Sequence, residues 1–284
     1  MSPRLWPGRR YLTASLDIVA RAVASWAERP LVVGICGAQG SGKSTVSREL
    51  KMAFEAKGER VAVLSIDDLY LGRAARTKLA ADVHPLFITR GVPGTHDVAL
   101  GLDLLTAMKV GQTVRLPRFD KASDEPLPAD EWLEVTAPSL ILFEGWCVGA
   151  HAQANADLAT PVNALEAWED GDAVWRSHVN NALKGPYARL FAAIDRLVLL
   201  AAPDFAVVQN WRGQQERSLR KRLIREGRDP ALAMSDDALR RFIAHYQRLT
   251  THILREMPGR ADLVLRLDEA RRIVNVHKAE AHRA

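Results

Sequence analysis

Residues Gly37-Ala38-Gln39-Gly40-Ser41-Gly42-Lys43-Ser44-Thr45 spell G-x-x-x-x-G-K-[ST], a spacing that can cradle a triphosphate. Glycines open backbone conformations that a Cβ forbids, so such a turn can aim several N–H groups at one anion. A helix starting where the turn ends adds its positive end. In this pattern Lys43 reaches the β- and γ-phosphates, the Ser44 hydroxyl ligates Mg²⁺ and Thr45 donates to the α-phosphate. The plain alternative is a flexible glycine turn with a surface lysine. The flanks argue against it: an apolar run, 31–36, precedes the turn and helical spacing, 46–56, follows it. The chain is expected to bind a nucleoside triphosphate with Mg²⁺.

Two acids stand where they could act on that nucleotide. Asp67 follows the apolar run 61–66, and Glu144 ends the apolar run 139–143. In open α/β sheets ligands lie beyond the carboxyl ends of the strands, which brings both acids toward the phosphate loop by topology. Asp67 is the candidate proton acceptor, with a helix cap or a turn as its plain reading. Glu144 is the candidate Walker-B-type group orienting Mg²⁺ or its waters, with a solvated strand-terminal carboxylate as the alternative. Ser44, Glu144 and Asp67 form the expected metal set.

Further charge sits in loops. Arg90-Gly91-Val92-Pro93-Gly94-Thr95-His96-Asp97 carries a cation, an imidazole and an acid. His96 and Asp97 have a capping alternative, since Thr95 or Asp97 could cap the helix that follows. Arg118 and Lys121 lie in the next segment. These loops should face the phosphate loop, and a carboxylate substrate suits a bidentate arginine such as Arg90 or Arg118. Arg212 heads a basic helix, 204–226, placed where a phosphotransferase carries a lid. Arginine suits that role because it stays charged and presents forked donors. Lys221 and Arg225 read as a solvated face.

Periodicity supplies the elements that must hold these groups. A leading amphipathic helix spans 11–28. Strands are expected at 31–36, 61–66, 113–121, 139–144 and 196–201, with helices over 43–57 and from Val98 through Met108. Residues 71–94 lack periodicity and read as a loop. Residues 147–190 read as an alanine-rich helical insertion, 204–228 as the lid region and 235–257 as an amphipathic core helix. Residues 262–267 and 272–276 read as a closing strand pair. The expected fold class is α/β, one P-loop NTPase-type parallel sheet with helices on both faces, a helical insertion and a lid, in a single domain over 1–284.

Composition sets outer bounds. Of 284 residues 48% are hydrophobic and 26% charged, enough for a core and ordinary for a soluble protein. No apolar run approaches the ~20 residues that span a bilayer, and no signal-peptide pattern follows the N-terminal arginines. Two cysteines, Cys36 and Cys147, indicate neither a disulfide framework nor a zinc site, and a cytoplasmic location is expected. A net charge of +5, dispersed along the chain, does not call for a nucleic-acid or membrane partner.

No N-K-x-D motif reads a guanine base, which sets a small GTPase aside. The extra acid after the second strand is where a small-molecule kinase keeps its base. The segments S-I-D-D-L-Y (65–70), R-G-V-P-G-T-H-D (90–97), L-P-R-F-D-K-A (116–122), I-L-F-E-G-W-C-V-G (141–149) and Q-N-W-R-G-Q-Q-E (209–216) together resemble the P-loop D-glycerate 3-kinase family, which is related to phosphoribulokinase, uridine kinase and bacterial pantothenate kinase. The resemblance spans 31 to about 225. It implies ATP, Mg²⁺ and transfer to the 3-hydroxyl of D-glycerate, a small anionic acceptor. It implies Asp67 as base, Arg90, His96, Asp97, Arg118 and Lys121 on the acceptor side, and Arg212, Gln215 and Glu216 in the lid. Residues 122–127 depart from it, with Ser123-Asp124-Glu125-Pro126-Leu127 in place of a glycine-rich G-D-R stretch. A P-loop kinase for a nucleoside, pantothenate or a sugar, or a slow regulatory ATPase, stays open beside the glycerate reading.

Overall fold

The computed structural model describes residues 9–279. Helix α1 (Arg9–Ser25) leads into β1 (Leu31–Gly37), the phosphate loop, α2 (Lys43–Glu55) and β2 (Val61–Ser65). Then come α3 (Arg73–Asp82), α4 (Val98–Lys109), and the short strands β3 (Thr113–Leu116), β4 (Phe119–Asp120), β5 (Glu125–Pro126) and β6 (Leu133–Thr136). Strand β7 (Leu140–Gly145) is followed by α5 (Ala164–Glu169), α6 (Val174–Ala182), a π-turn at Leu183–Tyr187 and α7 (Ala188–Phe191). The chain closes with β8 (Arg196–Ala201), α8 (Phe205–Arg225), α9 (Asp236–Glu256), β9 (Leu263–Leu267) and β10 (Ile273–Lys278).

The main sheet has six strands in the order β10-β9-β8-β1-β7-β2. All neighbours pair in parallel except β10, which runs back against β9 as an antiparallel edge. The α/β sheet with helices on both faces therefore stands, with one correction: the closing hairpin makes it mixed. Strand β1 is buried at every position because both its faces are covered. Its alternation divides the core. Leu31, Val33 and Ile35 pack with α1, α2 and Trp211 of α8, while Val32 and Cys36 pack with α4, the 182–191 segment and α9.

Local chemistry explains where helices begin. Asp97 accepts from Leu100 N–H (2.9 Å), Asp204 from Val207 N–H (2.8 Å) and Ser235 from Ala238 N–H (3.2 Å), each filling one orphan donor of a first turn. In α9 the acids Asp236 and Asp237 at the start and Arg255 at the end match the helix dipole.

Two expectations fail locally. Residues 71–94 are not all loop. They hold α3 and a 3₁₀ turn at Pro85–Ile88. Residues 113–121 do not form one strand. Pro117 supplies no N–H, and the segment divides into β3, paired with β6, and β4, paired with β5. Among the described residues no helix is long and apolar enough to cross a membrane. Both cysteines are free and buried. Burial pushes the Cys36 thiol up to about 12, so it stays protonated at neutral pH.

Candidate active site

The phosphate loop joins β1 to α2 at the carboxyl end of the sheet. Gly40 and Gly42 adopt φ of +82° and +96°, which a side chain would strain. Ser41 N–H closes the turn on Ala38 O (3.1 Å). Space is as tight as conformation, since a Cβ on Gly40 would lie 2.7 Å from Trp211 Cβ.

Parallel pairing carries Glu144 to this loop. In β7 it stands in register with Ile35 of β1 and Ser65 of β2. Ser44 Oγ donates to Glu144 Oε1 (3.0 Å), while the buried Oε2 has no protein partner. A hydroxyl and a carboxylate with a spare oxygen suit a hard cation. Among the described residues no group of three or more His, Cys, Asp or Glu side chains could hold a metal. Each Asp67 oxygen carries one donor, from Tyr70 or Lys121, whereas Glu144 Oε2 carries none.

Asp67 opens the 3₁₀ turn Ile66–Leu69 that ends β2, where Ser65 Oγ accepts its N–H (3.3 Å). Its Oδ1 accepts from Tyr70 Oη (2.6 Å) and its Oδ2 from Lys121 Nζ (2.5 Å). Burial works to raise its pKa, but Lys121 and then Lys43 outweigh that and hold the carboxyl well below the usual carboxylate range. Its neighbour Asp68 differs. Burial raises its pKa, and its carboxylate accepts Phe119 N–H (3.1 Å), tying β4 to this turn.

The 90–97 loop is zipped to the same turn. Leu71 N–H reaches Thr95 O (2.9 Å) and Asp97 N–H reaches Leu69 O (2.7 Å). The Arg90 guanidinium lies 5.5 Å from the Phe119 ring centre and 6.0 Å from that of Tyr70, and it pairs with Asp124. Arg118 is exposed beside this cluster, and its charge acts on Asp68. Asp67, Arg90 and Lys121 thus meet around Tyr70 and β4.

His96 and Asp97 are placed differently from the cleft-facing reading. His96 is buried, stacks on Tyr70 with ring centres 4.8 Å apart and shares a 2.5 Å hydrogen bond between Nδ1 and Tyr187 Oη. Burial lowers its pKa to about 4, so it is neutral at pH 7 and brings no positive charge to an anion. Asp97 is the cap of α4. Arg212 of α8 pairs with Glu216 one turn on (2.5 Å), bonds Gln215 (3.1 Å) and lies 6.0 Å from the ring centre of Phe242 in α9.

Several residues that build this site carried no sequence signal. Arg76 of α3 is fully buried and donates to Leu71 O (3.0 Å), Ile88 O (2.6 Å) and Asp124 Oδ2 (2.6 Å). Asp124, in the segment that departs from the family pattern, therefore bridges Arg76 and Arg90. From the core, Tyr246 Oη donates to Arg90 O (3.0 Å) and Trp146 Nε1 to Gly91 O (2.9 Å). The contacts of Arg76 with Asp124, Trp146 with Gly91 and Tyr246 with Arg90 join residues 48, 55 and 156 positions apart, which no local period reports.

Comparison with known proteins places this geometry. Residues 10–70 match the family described as methylmalonyl Co-A mutase-associated GTPase MeaB, a match covering the phosphate loop and β2 but neither Glu144 nor α8. The chain is 32% identical over 252 residues to the uncharacterized kinase mug58 of Schizosaccharomyces pombe, covering 82% of this chain and 87% of that one. It is 29% identical over 228 residues to the chloroplastic D-glycerate 3-kinase of Arabidopsis thaliana, covering 76% of this chain and 46% of that longer one. The solved D-glycerate 3-kinase of Cryptococcus neoformans superimposes with a TM-score of 0.71 at 26% identity, covering 96% of this chain and 99% of that one. With a complete phosphate loop, a register-placed acid and this likeness over most of its length, the chain belongs to the P-loop kinase family that contains mug58 and the D-glycerate 3-kinases.

Proposed function

We propose that this enzyme transfers the γ-phosphate of ATP to an alcohol group of a small hydroxy acid, with D-glycerate as the acceptor and 3-phosphoglycerate as the product. The observation that carries the proposal is the convergence of Asp67, Lys121 and Arg90 beside Tyr70, one turn beyond the strand next to Glu144. The relatives named D-glycerate 3-kinase support the choice of acceptor. Arg90 or Arg118 would meet the carboxylate, and Asp67 would accept a hydrogen bond from the attacking hydroxyl. A carboxylate held anionic by two lysines is a weak base. Phosphoryl transfer asks mainly for alignment, because its transition state is loose and the proton can leave late. Lys43 and the loop N–H groups would balance charge on the transferring group. Ser44 and Glu144 would hold Mg²⁺, which supplies positive charge to the phosphate oxygens.

A second reading has its own support. Asp124 already engages Arg90, which lowers the free positive charge available to an anionic acceptor. That favours an uncharged alcohol such as a sugar or nucleoside. Coupled ADP release with D-glycerate, L-glycerate, glycerol, pantothenate, uridine and ribose separates the two. Stimulation by D-glycerate above the others is expected. Stimulation by an uncharged acceptor alone overturns the glycerate assignment, and ADP release that ignores every acceptor indicates a regulatory ATPase.

A further inference from the structure

The turn of the β9–β10 hairpin carries Arg271 at φ +64°, the left-handed region that a side chain adopts only under compensation. The compensation is visible. Arg271 Nε donates to Gly40 O in the phosphate loop (2.6 Å), and Nη1 donates to Gln214 Oε1 on α8 (3.0 Å). Its guanidinium lies 4.9 Å from the ring centre of Trp211. Trp211 is fully buried, and its Nε1 donates to Glu269 O in the same turn (2.7 Å). Gly40 packs directly against the Trp211 backbone and Cβ. The phosphate loop, the lid helix and the hairpin turn, far apart in sequence, are thus cross-braced at one guanidinium.

The contact falls on a sensitive bond. The Gly40 carbonyl and the Ser41 N–H share one planar peptide unit. Ser41 N–H closes the loop on Ala38 O. Holding the carbonyl therefore fixes the plane at the tip of the loop, before any phosphate arrives.

We propose that Arg271 is a positioning residue for nucleotide binding, and that through Gln214 and Trp211 it makes nucleotide affinity depend on how α8 is seated. The proposal rests on the loop being the nucleotide site but not on the identity of the acceptor. A hydrogen bond to a charged donor carries enough free energy for an effect of about tenfold or more.

The test is calorimetric titration of the full chain with ADP and Mg²⁺, beside steady-state kinetics and thermal melts, for Arg271→Ala, Arg271→Lys, Gln214→Ala and the Arg271→Ala/Gln214→Ala double variant. Arg271→Ala is expected to weaken ADP binding and raise the ATP KM by about tenfold, with kcat and the acceptor KM within about twofold. Arg271→Lys should recover part of the loss, because an ammonium can still donate to Gly40 O but cannot fork to Gln214. Gln214→Ala should weaken ADP binding by about threefold, and the double variant should fall short of the product of the single effects. ADP affinity within twofold of wild type in a folded Arg271→Ala protein overturns the proposal. So does a purely additive double variant, or a drop in melting temperature with no change in affinity. Should Arg271→Ala not fold, unchanged ADP affinity in the surface variant Gln214→Ala overturns the coupling. Because ADP binding needs no acceptor, these outcomes are independent of whether glycerate is phosphorylated.

Discussion

Lys121 Nζ lies 2.5 Å from Asp67 Oδ2, so the candidate proton acceptor is ion-paired with a lysine from a separate loop. The lysine is more than half exposed while Asp67 is only about a quarter exposed, so the partner can move more readily than the acid. Burial alone would raise the Asp67 pKa, and Lys121 is the largest influence opposing it.

Replacing Lys121 with methionine should therefore shift the acid limb of kcat/KM to higher pH. With the pKa held low in wild type, Asp67 stays ionised throughout the acidic range and the profile should be flat there. Without Lys121, Lys43 and Tyr70 oppose burial alone, and the carboxyl protonates at a higher pH. A pH–rate series reads this directly. An unmoved limb would show that another group sets the profile.

Asp67→Asn keeps the shape and the Tyr70 contact but cannot take a proton. General-base assistance is typically worth about 10²–10⁴-fold, so kcat should drop within that range. The ATP KM should change by no more than about threefold, because Asp67 is assigned to the acceptor side. Intact kcat would remove Asp67 from this role.

The Ser44–Glu144 pair predicts metal dependence. Chelation with EDTA should abolish turnover, and Glu144→Gln should raise the Mg²⁺ concentration needed for half-maximal rate by about tenfold or more. A magnesium titration in which the variant matches wild type would refute the assignment of Glu144.

Stability should respond to pH through His96. Its folded pKa of about 4 lies below the ordinary value of 6.5, so between these limits the unfolded chain binds a proton that the folded chain refuses. Unfolding free energy should fall as pH drops from about 6.5 toward 4. Burial lowers the pKa of His245 and His252 as well, so they steepen the same decline. Urea melts across this range should show a shallower slope for His96→Phe, and an unchanged slope would contradict the buried neutral imidazole.

A different buried pair separates stability from activity. Arg176 and Asp170, both essentially inaccessible and 2.9 Å apart, sit in the helical segment away from the phosphate loop. Arg176→Leu removes the guanidinium from a buried carboxylate that then keeps only the N–H groups of Trp175 (2.7 Å) and of position 176 (3.1 Å) as donors, and should cost about 3–5 kcal/mol. Urea denaturation should report that loss, while ATP KM per folded molecule stays at its wild-type value.

The chain displayed its chemistry where function is local. Gly37 through Thr45 is a contiguous signature, and Glu144 and Asp67 each end an apolar run, so the strand-end acids and the parallel sheet were readable together. Helix α3 was not, because its one buried residue is Arg76, a cation held by two carbonyls and Asp124 instead of an apolar stripe. His96 and Asp97 were ambiguous for a related reason. A loop histidine looks the same in sequence whether it faces a ligand or stacks behind Tyr70. Arg271 had no signal at all, since its partners lie 57 and 231 residues away.

A Cβ at Gly91 would fall 1.9 Å from the Tyr246 hydroxyl, the group that anchors Arg90 O, so the backbone beside Arg90 leans directly on a helix of the hydrophobic interior. Catalytic tuning and foldability are consequently inherited together at this point. Interior substitutions around Tyr246 and Trp146 should surface first as altered acceptor KM, and selection on substrate choice would leave its record in residues that never meet a substrate.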